Sequence, residues 1–85
     1  MKPMTKIQVL MFAGAKQLAG CETLEVAVSE PLQAHGVLAA IGRAVPKLQP
    51  LIPSCRLAVN NRYVTDQAII DEDSVIALIP PVSGG

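Results

Sequence analysis

The amino-acid sequence predicts a single α+β domain: a sheet of four or five strands, one main helix across one face of it, and a short helix after the first strand. The length of 85 residues suits one domain. Hydrophobic residues make up 51% of the chain, enough for a folded core and too many for a disordered segment. Apolar runs typical of strands lie near both ends, and one long stretch with helical periodicity lies between them.

The first third of the chain predicts a central strand, a short helix and an edge strand. Residues 7–13 are apolar on both alternating faces, as expected of a central strand. A short helical turn is predicted over residues 15–19, with Gly20 as its cap. Residues 1–5, ahead of the first strand, are expected to be flexible. Residues 23–28 alternate between polar and apolar, which predicts a half-exposed edge strand whose buried face carries Leu24, Val26 and Val28.

The main helix is predicted over residues 33–44. Its apolar stripe recurs at helical spacing and consists of Val37, Ala40, Ile41 and Ala44. Gly36 and Gly42 each weaken this helix by up to ~1 kcal/mol relative to alanine, and Gln33 is a poorer N-cap than Ser or Thr. The helix therefore depends on the sheet for its stability. Proline-rich residues 46–53 predict the end of the helix and an irregular connection after it.

The last third of the chain predicts a hairpin and a final strand. Residues 56–59 and 63–64 flank Asn60 and Asn61, and asparagine tolerates the positive φ that a tight hairpin turn demands. Residues 75–79 are apolar throughout, so the last strand should be buried on both faces. One long helix covers only one face of such a sheet. The uncovered face is therefore expected to meet a partner.

Charge and cysteine content argue against several functions. Seven basic and seven acidic residues balance to zero, and without a basic cluster or aromatic platform we expect no nucleic-acid binding. We expect no membrane association, because the apolar runs are too short to span a bilayer. Without an export signal we expect a cytoplasmic protein whose Cys21 and Cys55 stay reduced. The cysteines and His35 lack metal-site spacing and the acidic turn at residues 71–73 lacks calcium-loop spacing, so no metal site is predicted.

The C-terminal stretch IPPVSGG, residues 79–85, suggests chemistry at the chain terminus. Its two prolines lack backbone N–H groups, so sheet pairing should end there and residues 80–85 should leave as an extended tail. Such a tail spans roughly 20 Å. Gly84 and Gly85 have no side chains, so a narrow tunnel could admit them. We expect Gly85 to carry a free carboxylate. We therefore expect another protein to act on this terminus.

This ending resembles the C-terminus of the small, ubiquitin-like sulfur-carrier subunit of molybdopterin synthase, which closes on PPV, a small residue and Gly-Gly. VLMFAGAKQLAG, residues 9–20, is similar to the first strand and short helix of that family, and VNNRYV, residues 59–64, to its hairpin. Residues 78–79 differ, being Leu-Ile where some members carry two phenylalanines. The resemblance implies a ubiquitin-like β-grasp fold, with a mixed sheet whose first and last strands lie side by side at its centre.

The resemblance also implies a function for the tail. An E1-like adenylating enzyme would use ATP to adenylate Gly85, and a sulfur donor system would convert the adenylate to a thiocarboxylate. The tail, kept thin by Gly84, would then enter the large subunit and give its sulfur to a pyranopterin precursor of molybdopterin. The expected synthase is a heterotetramer of two small and two large subunits. This chain shows no phosphate-binding loop, so it would be a non-catalytic sulfur-donating subunit without a permanently bound cofactor, and the catalytic residues would belong to the large subunit.

By the same resemblance, the partners contact the uncovered sheet face and the tail. The implied contact residues are Phe12, Tyr63, Ile79, Pro80, Pro81, Val82 and Ser83. Other functions stay open. A sulfur carrier for thiamine synthesis would share the fold and the Gly-Gly ending, a ubiquitin-like modifier would join Gly85 to lysines of target proteins, and a structural interaction module would have a dispensable tail.

Overall fold

The structure is a computed structural model that describes residues 4–80, and within them five strands form one sheet. The elements are β1 Met4–Met11, α1 Ala13–Ala19, β2 Thr23–Ser29, α2 Ala34–Ala44, β3 Arg56–Val59, β4 Arg62–Tyr63 and β5 Ile76–Ile79. Short 3-10 turns at Pro46–Leu48 and Ile52–Ser54 connect α2 to β3. Among these residues, no helix is long and apolar enough to cross a membrane.

The strands lie in the order β2-β1-β5-β3-β4. β1 and β5 pair in parallel at the centre, with Val9 beside Ile76 and Met11 beside Leu78. The other pairs are antiparallel, and β2 forms one edge. The predictions of a mixed sheet, of adjacent first and last strands and of an edge position for β2 are therefore confirmed.

The core lies between one face of the sheet and α2. Its largest fully buried side chains are aliphatic, namely Val9, Val37, Ile41, Leu48, Leu57, Ile76 and Leu78. The predicted helix stripe is right at Val37, Ala40 and Ile41 but wrong at Ala44, which is exposed. Ala44 is the last residue of α2, and beyond it the chain turns so that Val45 packs against the core instead.

Contacts with other elements explain how α2 tolerates weak helix-forming residues. Gln33 is the N-cap and makes no side-chain capping bond, as its residue type led us to expect. The N–H groups of Ala34 and His35 instead donate to carbonyls of residues 68 and 66, at 3.1 and 2.8 Å. A Cβ added at Gly36 would lie 3.3 Å from Val28 Cγ1, so this glycine lets the helix approach β2 closely.

Several segments differ from the sequence prediction. β1 ends at Met11 instead of residue 13, and α1 begins at Ala13 instead of residue 15, because the helix starts directly after the extended residue Phe12. β1 begins at Met4, because β2 is long enough to pair with Met4 and Thr5, so those two residues are not part of a flexible end. Residues 1–3 of that expected flexible segment lie outside the described residues. The connection after α2 is partly ordered, since its 3-10 turns bury Leu48 in the core. Val75 precedes β5, because its backbone bonds to Asn60 in the hairpin turn instead of to the sheet, and its side chain is 56% exposed.

Candidate partner-binding face

The sheet face opposite α2, called here the open face, carries a row of side chains from four adjacent strands. Leu10 pairs with Ala77, Ala77 with Ala58, and Ala58 with Tyr63. Paired residues share a face and alternate residues along a strand change face. Since Val9, Met11, Leu57 and Leu78 belong to the core, this row must lie on the opposite side. This row of the open face is therefore apolar from β1 through β5 and β3 to β4.

The centre of this row consists of two small side chains. Ala58 and Ala77 are each only 9% exposed, yet neither belongs to the hydrophobic core cluster. Ala58 and Ala77 pair with each other, and their alternation with Leu57 and Leu78 places both methyl groups on the open face. An approaching surface would therefore meet two methyl groups at the centre and larger side chains at the rim.

The rim contains the aromatic residues named in the sequence prediction. The backbone at Phe12 is still extended (φ −128°, ψ 152°), so its side chain follows the alternation of β1 onto the open face. Phe12 is 46% exposed and Tyr63 62% exposed. Ile79 is half-buried and lies on the same face, because Leu78 before it points into the core. The structure thus brings Phe12, Tyr63 and Ile79 to one face; that partners bind there stays a prediction.

Charged groups border this apolar region. Beside Phe12, the Nζ of Lys16 donates to Glu22 Oε1 at 2.9 Å. This hydrogen bond, together with the positive charge of Lys16, lowers the pKa of Glu22. At the other side, the Arg56 guanidinium lies over the Tyr63 ring, 5.6 Å from its centroid. The remainder of the open face, where Lys6, Gln8 and Glu25 lie, is polar and exposed.

β5 ends at Ile79, and Pro80 leaves the sheet half-buried. Pro80 therefore leaves the sheet beside Arg56, which pairs with Ile79, in the part of the open face called here the apolar half, namely Leu10, Phe12, Ala58, Tyr63, Ala77 and Ile79. The predicted site residues Pro81, Val82, Ser83, Gly84 and Gly85 lie outside the described residues.

The remaining reactive side chains are separate from this face. Cys55 is buried, and desolvation raises the pKa of its thiol, whereas Cys21 is half-buried. His35 is exposed on α2, and its Nε2 lies 3.1 Å from Gln33 Oε1. The acidic residues 71–73 are exposed. Within residues 4–80, no three His, Cys, Asp or Glu side chains lie close enough to hold a metal ion.

Sequence reasoning missed the two alanines and Arg56 as parts of this face. Ala58 and Ala77 lie in apolar runs that predicted core positions. Their small size beside Leu57 and Leu78 was a signal that their side chains do not pack in the core. Arg56 was a charged residue at the start of an otherwise apolar strand. Its position diagonally across from Tyr63 depends on the hairpin register, in which Ala58 pairs with Tyr63.

A mixed sheet with parallel central strands and one helix across one face defines a ubiquitin-like β-grasp protein. SAMP1 from Haloferax volcanii has the same fold, with a TM-score of 0.80 and 24% identity over 95% of this chain and all of that chain. The model of the ThiS family matches residues 9–85, and the chain belongs to this family.

Relatives and further structures agree with that membership. The molybdopterin synthase sulfur carrier subunit of Chlamydomonas reinhardtii is 36% identical over 94% of this chain and 99% of its own length. That of Arabidopsis thaliana is 34% identical over 94% of this chain and 83% of its own length. The structure of a putative molybdopterin converting factor subunit 1 from Pyrococcus furiosus matches with a TM-score of 0.77 and 26% identity, over 92% of this chain and 99% of that chain.

A complex structure also matches. The chain is similar to one from a protein–protein complex of subunits 1 and 2 of molybdopterin-converting factor from Helicobacter pylori. The TM-score is 0.64 and the identity 22%, over 95% of this chain and all of that chain. At that identity the likeness concerns the fold.

Proposed function

We propose that this protein is the sulfur-carrier subunit of a molybdopterin synthase. The observation that carries the proposal is the 36% identity to a molybdopterin synthase sulfur carrier subunit over 94% of this chain and 99% of that one. The PPVSGG ending of the sequence supports the same function. The fold alone would not decide it, because SAMP1, a ubiquitin-like neighbour, has the same fold.

In the proposed chemistry, Gly85 supplies the reacting carboxylate. A carboxylate is a poor electrophile, because its negative charge and resonance oppose nucleophilic attack. Transfer of AMP from ATP to the carboxylate forms a mixed anhydride and releases pyrophosphate. Sulfur supplied by the donor system at the oxidation level of sulfide then attacks the acyl carbon, the bond to AMP breaks so that AMP leaves, and loss of the sulfur-bound proton gives Gly85 as a thiocarboxylate. The thiocarboxylate sulfur next bonds to a carbon of the pyranopterin precursor and displaces an oxygen substituent from it. Water then cleaves the acyl–sulfur bond, which leaves the sulfur on the product and regenerates the Gly85 carboxylate.

This chain presents the reacting group, and its partners supply the catalytic residues. The proposed partners are an E1-like adenylating enzyme, a sulfur donor system and the large subunit of the synthase, two copies of which join two carriers in a heterotetramer. ATP is consumed by the adenylating enzyme and is not held by the carrier. The open face supports this assignment, because its apolar half adjoins the start of the tail and would place a bound partner beside it. The proposed compartment is the cytoplasm.

The test is reconstitution with the full-length chain, ATP, the cognate adenylating enzyme and a sulfur donor. Intact mass spectrometry should show one oxygen replaced by sulfur, and a control without ATP should show no change. Addition of the large subunit and the pyranopterin precursor should then yield the dithiolene product. A chain that stays unmodified, although the adenylating enzyme turns over another carrier, would contradict the proposal. Conjugates of higher mass would instead identify a ubiquitin-like modifier, and thiocarboxylate without dithiolene product would favour a thiamine-type carrier.

A further inference from the structure

Arg56 lies in the apolar half of the open face. It pairs with Ile79, the last residue of β5, and its side chain is on the same face as Ala58 and Tyr63. The guanidinium lies 5.6 Å from the centroid of the Tyr63 ring, within the range of a cation–π interaction. The side chain thus lies over the sheet surface, beside the residue at which β5 ends.

The charge of Arg56 has no counter-ion among residues 4–80. The one ion pair that these residues form joins Lys16 to Glu22. No side-chain hydrogen bond of Arg56 occurs among them either. The neighbours that the register gives it, Ile79 across the ladder and Ala58 along the strand, offer no acceptor side chain. Arg56 is exposed, so water solvates its guanidinium while this face is free.

Covering this face with an apolar surface would remove that water. A buried charge is costly unless it is paired and hydrogen-bonded. A guanidinium offers a planar fork of donors that matches a carboxylate in a bidentate geometry. We propose that the protein surface that covers the open face is apolar and places one carboxylate opposite Arg56, which makes Arg56 a specificity-determining residue of the interface. The identity of that partner, the large subunit of the synthase, rests on the proposed function.

A second copy of this chain fits the surface less well. A two-fold contact centred on the apolar half would bring two Arg56 side chains toward one another, and like charges repel. An uncharged partner surface fits less well too, because it would leave the guanidinium without an acceptor. Charge complementarity therefore favours an acidic group at this point of the partner.

The experiment measures binding of the full-length chain to the large subunit by calorimetric titration, at low and high ionic strength. Arg56→Glu should weaken binding roughly 30-fold or more, because it sets two carboxylates against each other. Arg56→Lys should weaken it less, since charge remains while the planar fork is lost. The matched control is Arg62→Glu in the same hairpin. Arg62 pairs with Val59 and so shares the core-side face, and its reversal should change affinity by no more than about threefold.

The position of the carboxylate can then be found by reversing acidic residues of the large subunit one at a time. One such reversal to lysine should restore the binding of Arg56→Glu, a coupling that general misfolding would not produce. Thermal unfolding of the variants should match the unsubstituted protein, because Arg56 is exposed.

Comparison with Phe12→Ala distinguishes failure of the carboxylate proposal from failure of the proposed function. If Phe12→Ala weakens binding and Arg56→Glu does not, the open face docks the partner and the carboxylate proposal is wrong. If the unsubstituted chain does not bind the large subunit and gains no sulfur, the proposed function itself fails. Self-association of the isolated chain that Arg56→Glu abolishes, seen by sedimentation, would show that a second copy is the occupant and would overturn the proposal.

Discussion

The exposure of Phe12 favours the prediction that it contacts a partner over the alternative that it is a core residue. Its ring is 46% exposed, while its carbonyl accepts the N–H groups of Ala15 and Lys16 at the start of α1. Phe12→Ala keeps that backbone contact and removes only the ring. We expect the free energy of unfolding to fall by about 1 kcal/mol, well below the ~3–5 kcal/mol lost when a core phenylalanine is truncated. Affinity for the large subunit should fall about tenfold or more, as for an aromatic anchor of an interface.

Urea unfolding and titration of the large subunit measure the two effects. Val9→Ala is a suitable control, since Val9 is fully buried on the core side of the same strand. It should destabilise the fold and leave the affinity of the folded protein unchanged. The opposite pattern, with Phe12→Ala costing stability and not affinity, would make Phe12 a core residue.

The two cysteines should differ in reactivity. Burial raises the pKa of Cys55, so at mildly alkaline pH less of its thiol is the reactive thiolate. We expect alkylation of the native protein to modify Cys21 first, and Cys55 only when urea unfolds the chain. Because the native state holds the Cys55 proton more tightly than the unfolded chain does, stability should decrease as pH rises beyond the ordinary thiol range.

Mass spectrometry of timed alkylation, repeated with Cys21→Ser, gives the rate at each site. The alkylated protein should still accept and transfer sulfur, because the proposed reactive sulfur is on Gly85. Loss of transfer on Cys21→Ser, in a chain that still folds, would mean that a cysteine takes part in the reaction.

At the scale of elements, the β3–β4 hairpin places both Arg56 and Tyr63. Asn60 and Asn61 have φ of 52° and 69°, the positive values that a tight two-residue turn needs. Asn60 also anchors the turn, since its Oδ1 accepts the N–H of Val75 at 2.9 Å. Asn61→Ala should cost about 1 kcal/mol of folding free energy, because alanine tolerates this conformation poorly. Asn61→Gly should cost nothing or add stability.

Urea unfolding compares these two variants directly. Equal stability of the alanine and glycine variants would show that the positive φ at this position matters little. A destabilised hairpin should also lower the affinity of the open face, since it moves the Tyr63 ring and the guanidinium that lies over it.

Elements with strong local signals were predictable, and contacts between elements were not. The alternation in β2, the asparagine pair in the hairpin and the glycine after α1 each specify a conformation locally. The burial of Leu48 is different, because it depends on how the chain folds back after α2. Gly36 looked only like a weak helix residue until the closeness of Val28 gave it a packing role. The existence of an apolar open face was predictable, because one long helix covers only one of the two faces of the sheet. The positions of Ala58, Ala77 and Arg56 on that face could be assigned only once the strand register was known.

For the molecule as a whole, the two faces of the sheet have separate roles. One face packs against α2 and supplies the core, and the other presents an apolar half that ends where β5 stops. No β-sheet pairing is seen beyond Ile79 within the described residues. Changes at the end of the tail should therefore act on function without acting on the fold.

Removal of Gly85, or addition of one alanine after it, tests this separation. Either change should leave the urea midpoint unaltered, because the core contains no residue beyond Leu78 among those described. Each moves the terminal carboxylate by about one residue, ~3.5 Å, relative to the docked domain. Reacting atoms must approach within about 3–3.5 Å, so an error of that size should abolish thiocarboxylate and dithiolene formation.

Gly84→Val should be harmful for a different reason, since it widens the segment that enters a narrow site and restricts its φ. Two controls accompany these variants. The first is Ser29→Ala, a substitution on the edge strand. The second is the affinity of each tail variant for the large subunit, which should be largely preserved because the open face is unchanged. Intact mass and product yield measure the outcome. A variant without Gly85 that still forms normal product would rule out Gly85 as the sulfur-bearing residue, because its acyl carbon would be missing from the reaction.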